Sequence, residues 1–204
     1  MNLRPVLTTT LLAALAVSTT RTQAAFDMFL KFYPDVGQAQ IVGESQDASY
    51  PGSQGWFELK QFDFGVQNPA TIGSTTGGAG TGKASFTEFK LSKTVDSVSP
   101  ALFKILSSGA HFKSARLVIR KSGGATAKPD PYLQYEFNTV FATAQHWGGS
   151  AGDDTPQEDV TLAVGEILIS YKVQNPDGTL GKATTGGWSV ISNSDKFTPL
   201  PDGP

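Results

Sequence analysis

The stretch DVTLAVGEILISYKV, residues 159–173, decides the fold class. Val160, Leu162 and Val164 share one parity, while Ile167, Ile169, Tyr171 and Val173 share the other. Alternation with period two is the pattern of a strand buried on one face. The switch falls at Gly165–Glu166, and an extra residue there, as a β-bulge, would let both halves face the same core. A long strand that bends at a glycine suits a sheet that must curve or change partners, so the expectation is a small β-barrel or a β-sandwich of two sheets.

Neighbouring stretches agree. DMFLKFY (Asp27–Tyr33) reads as a buried strand, and GWFELKQFDFGV puts Phe62, Phe64 and Val66 opposite Gln61, Asp63 and Gly65. In ARLVIRK, Leu117 and Ile119 oppose Arg116, Val118 and Arg120; in YLQYEFN, Leu133, Tyr135 and Phe137 oppose Gln134, Glu136 and Asn138. One segment, SVSPALFKILSSGAHF, has helical spacing. Ser99 is the expected cap, Pro100 suits the first turn and Gly109 the stop, with Leu102, Phe103 and Leu106 on the buried face and Ile105 widening it. KSGGATAKPDP, GGSAGDDTPQ and NPDGTLG are connections rich in turn residues.

The 204 residues are 17% charged and 39% apolar, with 13 Phe, 22 Gly, 12 Pro and no Cys. That fits one domain with an ordinary core and many turns. A chain without cysteine has no disulfide option, and its absence does not fix a redox compartment. Residues 1–24 carry Arg4, then sixteen uncharged residues, then small residues at Thr22 and Ala24, the parts of a secretory signal cleaved after Ala24. The run is too short to span a bilayer. Losing Arg4 and Arg21 with it would take the formal charge from −2 to −4. An acidic domain without a Lys/Arg run has no footprint for nucleic acid or a membrane surface.

Chemistry is sparse. GSTTGGAGTGKASF (Gly73–Phe86) places Gly77, Gly82 and Lys83 as a phosphate loop would, but Ala84 replaces the magnesium-binding hydroxyl and the following residues are strand formers. A long glycine-bearing loop of this kind is uncommon without a role such as reaching a partner. His111 and His146 are the only histidines, too few for a histidine-rich metal site. His146 with Asp153 or Asp154 is the one conceivable hydrolytic set, and no G-x-S-x-G nucleophile accompanies it. His111 follows the helix closely enough to bond its last carbonyls. Asp153–Asp154 read as a solvated turn, and Trp56, Trp147 and Trp188 as core or interface residues. No catalytic residue, metal or cofactor is expected.

Taken together, FDMFLKF, GWFELKQFDFGVQNP, GTGKASFTEFKLSKTVD, SPALFKILSSGAHFKSARLVIRKSGG, GGSAGDDTPQEDVTLAVGEILISYK, DGTLG and the following GW resemble the Hcp family, the tube proteins of type VI secretion. The resemblance runs from Phe26 to Asn193. It implies a barrel-like β-sandwich with one helix, assembled into six-membered rings that stack into a hollow tube. Sheath, spike and effector proteins are then the implied partners beside the chain itself. It also implies that Pro69 to Lys83, with Gly73, Gly77, Gly78, Gly80 and Gly82, is an arm contacting neighbouring subunits. Family members are usually made without an export signal, so residues 1–24 depart from the pattern. The expected organisation is a leader over 1–24, one domain over 25–195 and a flexible tail over 196–204. The alternative function is an exported β-sandwich, acting as an extracellular ring or tube or as a glycan- or partner-binding module. A used signal places the protein in the periplasm or outside the cell; translation from near Met28 would keep it cytoplasmic before secretion.

Overall fold

A computed structural model describes residues 26–71, 80–81, 83–122 and 130–200. The proposed leader, residues 1–24, lies outside them. The long strand of the opening stretch is the axis of the molecule. It runs Gln157–Gln174 (β11) and pairs antiparallel along its length with Leu133–Gly148 (β10). Its other edge changes partner: residues 157–162 pair with Phe89–Thr94 (β8), and residues 166–174 with Leu180–Ser189 (β12). Beyond β10 the sheet continues through Phe112–Lys121 (β9) and Phe26–Tyr33 (β1) to Trp56–Glu58 (β2); beyond β8 it continues to Gln61–Asp63 (β3).

The ladder does not close into a barrel, but its two edges are one piece of chain. Only Leu59 and Lys60 separate β2 from β3. The Leu59 amide donates to Met28 O at 3.0 Å, on β1, and the Lys60 amide to Ser92 O at 2.8 Å, on β8. The sheet is therefore rolled over on itself into two facing layers, as in a sandwich.

Val160, Leu162 and Ile167 all reach one core, with Val164 and Ile169 packed against it, as the parity of the sequence requires. The means differs from a bulge in β11. Asn138↔Glu166 and Val140↔Val164 keep the same register with β10 across the switch, so β11 takes no extra residue there. Instead β10 switches parity at the same level: Leu133, Tyr135 and Phe137 face the core before Thr139, Val140 and Ala142 after it. Thr139, at φ 55°, adopts the left-handed region, and Gly165 lies across from it. A Cβ on Gly165 would come within 3.0 Å of the Thr139 Cβ, which is why glycine stands there. The register shift between β10 and β11 is further along, between Ala142 and Ala144.

The core is built of phenylalanine. Phe32, Phe57, Phe89, Phe112 and Phe137 are each buried to 1% exposure or less, each worth roughly 1.5–3 kcal/mol relative to exposure. Phe32 and Phe112 stack at 4.2 Å between centroids. The helix Ser99–Ser108 (α1) lies over one end of this core. Gly109, at φ 69°, ends it as expected, its amide donating to Ile105 O and Leu106 O. Two expectations fail. The cap is not Ser99: the Asp96 carboxylate accepts from the Val98 amide at 2.9 Å, while Ser99 Oγ accepts from the Asp96 amide and from Lys93 Nζ. The buried face is Val98, Ala101, Leu102 and Ile105, spaced i, i+3, i+4, i+7, which leaves Phe103 exposed.

The outer face of β1 and β9 is also covered. Arg120, 7% exposed, pairs with Asp27 and Asp47 and sits 5.0 Å from the Phe29 ring; Arg116 pairs with Glu136 at 3.2 Å. Residues beyond 195 dock as far as the structure describes them. Leu200 is buried, the Thr198 amide donates to Glu166 Oε2 at 3.0 Å, and Asn138 Nδ2 donates to Thr198 O at 2.6 Å.

Candidate assembly surface

The chain leaves the core between β3 and β8 as a two-stranded ribbon. After Gln61↔Ser92 to Asp63↔Lys90, pairing resumes at Val66–Gln67 (β4) with Ser85–Phe86 (β7), then at Ala70–Thr71 (β5) with Gly80–Thr81 (β6). From Asp63↔Lys90 to Val66↔Phe86 the returning strand spends one residue more than the outgoing one, and the same holds from Gln67↔Ser85 to Ala70↔Thr81. Such extra residues bend and twist a ribbon. Thr87 fastens the first joint. Its Oγ1 accepts from the Gly65 amide at 2.7 Å, and its own amide donates to Gly65 O at 2.9 Å. Pro69, which lacks an amide hydrogen, lies exposed at the second joint, a position open only on a ribbon with a free edge. Phe64 to Thr71 spans up to roughly 25 Å at ~3.3 Å per residue.

Of the residues expected to form an arm, Pro69, the backbone of Gly80 and exposed Lys83 fall within this ribbon. Gly73, Gly77, Gly78 and Gly82 lie outside the described residues. Lys83 leads into strand β7 and not into a helix, so the fold offers no helix N-terminus where a phosphate loop would need one.

Beneath the base of the ribbon is an open, mainly apolar groove of about 790 Å³. Phe64, Val66 and Phe86 line the ribbon side; Ile169, Gly186 and Trp188 line the wall formed by β11 and β12. Phe64 and Phe86 stack at 6.3 Å, and a Cβ added to Gly186 would meet nothing within 4 Å. The Trp188 indole N–H is buried and has no acceptor among the described residues.

The histidine and carboxylate candidates do not converge. His146 is exposed on β10 across from Asp159, whose Oδ1 accepts from Ser92 Oγ. Asp153 accepts from the Ser150 amide at 2.7 Å, closing its own turn. His111 does not cap the helix; its Ile105 and Leu106 carbonyls accept instead from the Ala110 and Gly109 amides. It lies 3.4 Å from Asp35 and stacks on Phe141 at 4.8 Å. Among the described residues no three His, Asp or Glu side chains group as metal ligands would. The tryptophans divide: Trp56 is buried, Trp188 lines the groove, and Trp147 is half-exposed beside Phe103, 6.0 Å between ring centroids.

One buried polar cluster is absent from any reading of local sequence. Lys93 Nζ, wholly buried, donates to Thr94 O at 2.9 Å, Asp96 Oδ1 at 2.5 Å and Ser99 Oγ at 3.1 Å, and lies 3.2 Å from Glu158 Oε1. Trp147 Nε1 donates to the other Glu158 oxygen at 2.8 Å. This cluster fixes the N-terminus of α1 and the end of β10 against one another.

A model of the family described as type VI secretion system effector, Hcp, matches residues 29–171. Protein hcp1 of Pseudomonas aeruginosa is 32% identical over 112 residues, which is 54% of this chain and 68% of its own. Among solved structures, one described as a type six secretion system protein superposes with a TM-score of 0.73 at 29% identity, over 84% of this chain and 100% of the other. Hcp1 from Salmonella typhimurium superposes at 0.65 and 28% identity, over 85% of this chain and 100% of its own. A family match over more than half the chain, on a rolled sheet with α1 packed on it and an emerging ribbon, leads to one conclusion: the chain belongs to the Hcp family, the ring-forming tube subunits of type VI secretion.

Proposed function

We propose that six copies of this chain close into a ring, that the rings stack into a hollow tube, and that the ribbon of β4–β7 with residues 69–83 is the arm joining one copy to the next. The role is structural, with no catalysis. The ribbon carries this reading: its paired strands leave the core, with Val66 exposed and Lys83 at the surface, and head-to-tail contacts between identical subunits close into rings when the rotation fits. Sheath, spike and effector proteins are the further partners of a tube used for injection. Residues 1–24 favour a second reading, in which the chain is exported on its own signal and builds rings or tubes outside the cell. Native mass spectrometry of the protein from its own host tests both at once. Six subunits starting near Met28 support injection, six subunits lacking residues 1–24 support an exported ring, and a monomer refutes ring formation. Deleting Gly73–Gly82 should abolish stacking and leave the domain folded; intact tubes after that deletion would remove the arm from the account.

A further inference from the structure

We propose that an exposed aromatic pair, Phe103 and Trp147, of one copy seats in the apolar groove beneath the ribbon of the next, so that the chain carries both halves of one head-to-tail contact. The proposal rests on the ring-forming reading and identifies the surfaces it uses. Phe103 is 54% exposed and Trp147 48%, and their rings touch to form one apolar knob. The Trp147 indole N–H donates to Glu158 Oε2 beneath it, which orients the ring in advance and lowers the side-chain freedom lost on docking. The groove, about 790 Å³, is lined by Phe64, Val66, Phe86, Ile169, Gly186 and Trp188, and the bare Gly186 leaves its floor open. Two aromatic side chains, each able to bury about 150–250 Å², suit a space of that size and character.

Placement and charge select a second copy as the occupant. Trp147 pairs with Glu158 at one end of β11, and the groove lies at Ile167 and Ile169, nine or more residues along the same strand. At ~3.3 Å per residue this is roughly 30–36 Å of strand, so one copy cannot fill its own groove. Knob and groove are different surfaces at different ends, the requirement for a heterologous contact. Exposed Asp153 and Asp154 follow the knob and exposed Lys83 stands at the groove rim, a pair of opposite charges for the contact, while Lys104, next to Phe103, lines a different groove with Ala101 and Ile105. An incoming acidic loop also brings acceptors toward the Trp188 N–H, which lacks one.

The chain has no cysteine, so introduced thiols are the only ones present. A Phe103→Cys/Gly186→Cys variant of the full chain should give covalent multimers larger than dimers with a short bis-maleimide. A linker is needed because the Phe103 ring lies between the two Cα positions, beyond direct disulfide reach. Each single variant should stop at dimers. A ladder ending in a closed ring places the contact within the ring, and one running on places it between rings; both support the pairing. Phe103→Asp and Gly186→Leu should each raise the concentration at which assemblies dissociate at least about tenfold, the effect of losing one buried anchor. A double variant cross-linked at a concentration where sedimentation shows it assembled, yet yielding nothing above dimer, overturns the knob and groove but leaves ring formation standing. Wild-type protein that remains monomeric removes both.

Discussion

Replacing Lys93 by methionine probes the cluster that joins α1 to the sheet. The side chain fits the same space, but Thr94 O loses its bond from Nζ, and Asp96 Oδ1 and Ser99 Oγ each lose one of two donors, keeping those from the Val98 and Asp96 amides. Glu158, equally buried, keeps its bond from Trp147 and loses the cation 3.2 Å away. Removing one member of a buried ion pair costs about 3–5 kcal/mol. The retained Trp147 bond and the partial solvent access of Asp96 put the expectation near the lower end, about 3 kcal/mol. For a domain of this size that is a Tm lower by roughly 6–12 °C. Urea unfolding followed by tryptophan fluorescence reads it directly, at one fixed protein concentration because assembly itself adds stability. A Lys93→Met/Glu158→Gln double variant should recover at least ~1 kcal/mol of the loss, since it no longer strands a buried carboxylate. A single variant within ~1 kcal/mol of wild type at unchanged m-value would refute the argument. So would a double variant whose loss is the sum of the singles.

Three further outcomes follow from the same packing. Thr139→Gly should stabilise the domain by about 1 kcal/mol, because a β-branched residue in the left-handed region carries a steric cost that glycine lacks; calorimetry showing no gain would mean that glycine's extra unfolded-state entropy cancels the relief. Gly165→Val should cost about 1–3 kcal/mol, since the added Cβ meets the Thr139 Cβ at 3.0 Å and Ile191 Cδ1 at 2.7 Å; Ile191→Ala in the same chain should relieve only part of the loss, because Thr139 cannot move aside. Burial works against the ionised Glu166 carboxylate, but hydrogen bonds from the Thr198 amide and Asn138 outweigh it and hold the group below its ordinary value. Its contribution is therefore present above the unfolded carboxylate range and is lost as pH falls through the lower folded value. Residues 196–200 should then gain amide exchange in acid, after correction for intrinsic rates, before the core does. Simultaneous loss of protection in core and tail would contradict this.

Much of the fold was legible because its cause is local. Period two in residues 115–121 placed Leu117 and Ile119 inward, and Gly109 marked the helix stop by its conformation. What was missed depends on distant partners. Arg116 and Arg120 read as solvent-facing, yet Asp27, Asp47 and Glu136 come from segments far along the chain to cover them. Lys93 and Glu158 look like exposed charges until β8 and β11 pair and bring them to 3.2 Å. Phe103 was placed in the core because Leu102, Phe103 and Leu106 form a plausible stripe; including Val98 ahead of the helix would have rotated the face correctly. The parity switch at Gly165 was visible, but its meaning needed the matching switch between Phe137 and Val140 on the partner strand. At the assembly surface the glycine loop was legible as a connection between two strands. The groove beneath it was not, because Trp188 and Ile169 reach its wall only through the pairing of β11 with β12.

The two residues between β2 and β3 bear on how the subunit withstands force. A tube of stacked rings transmits load through each subunit, and an open sheet tears first along its unpaired rim, where hydrogen bonds unzip one at a time. Here that rim is crossed by Leu59 and Lys60, with one amide bonded to each layer. The seam where the rolled sheet would open is thus spanned by covalent bonds, which hold at loads that part hydrogen bonds. Tension across the layers is passed along the main chain, and the fold behaves as a hoop with a riveted joint.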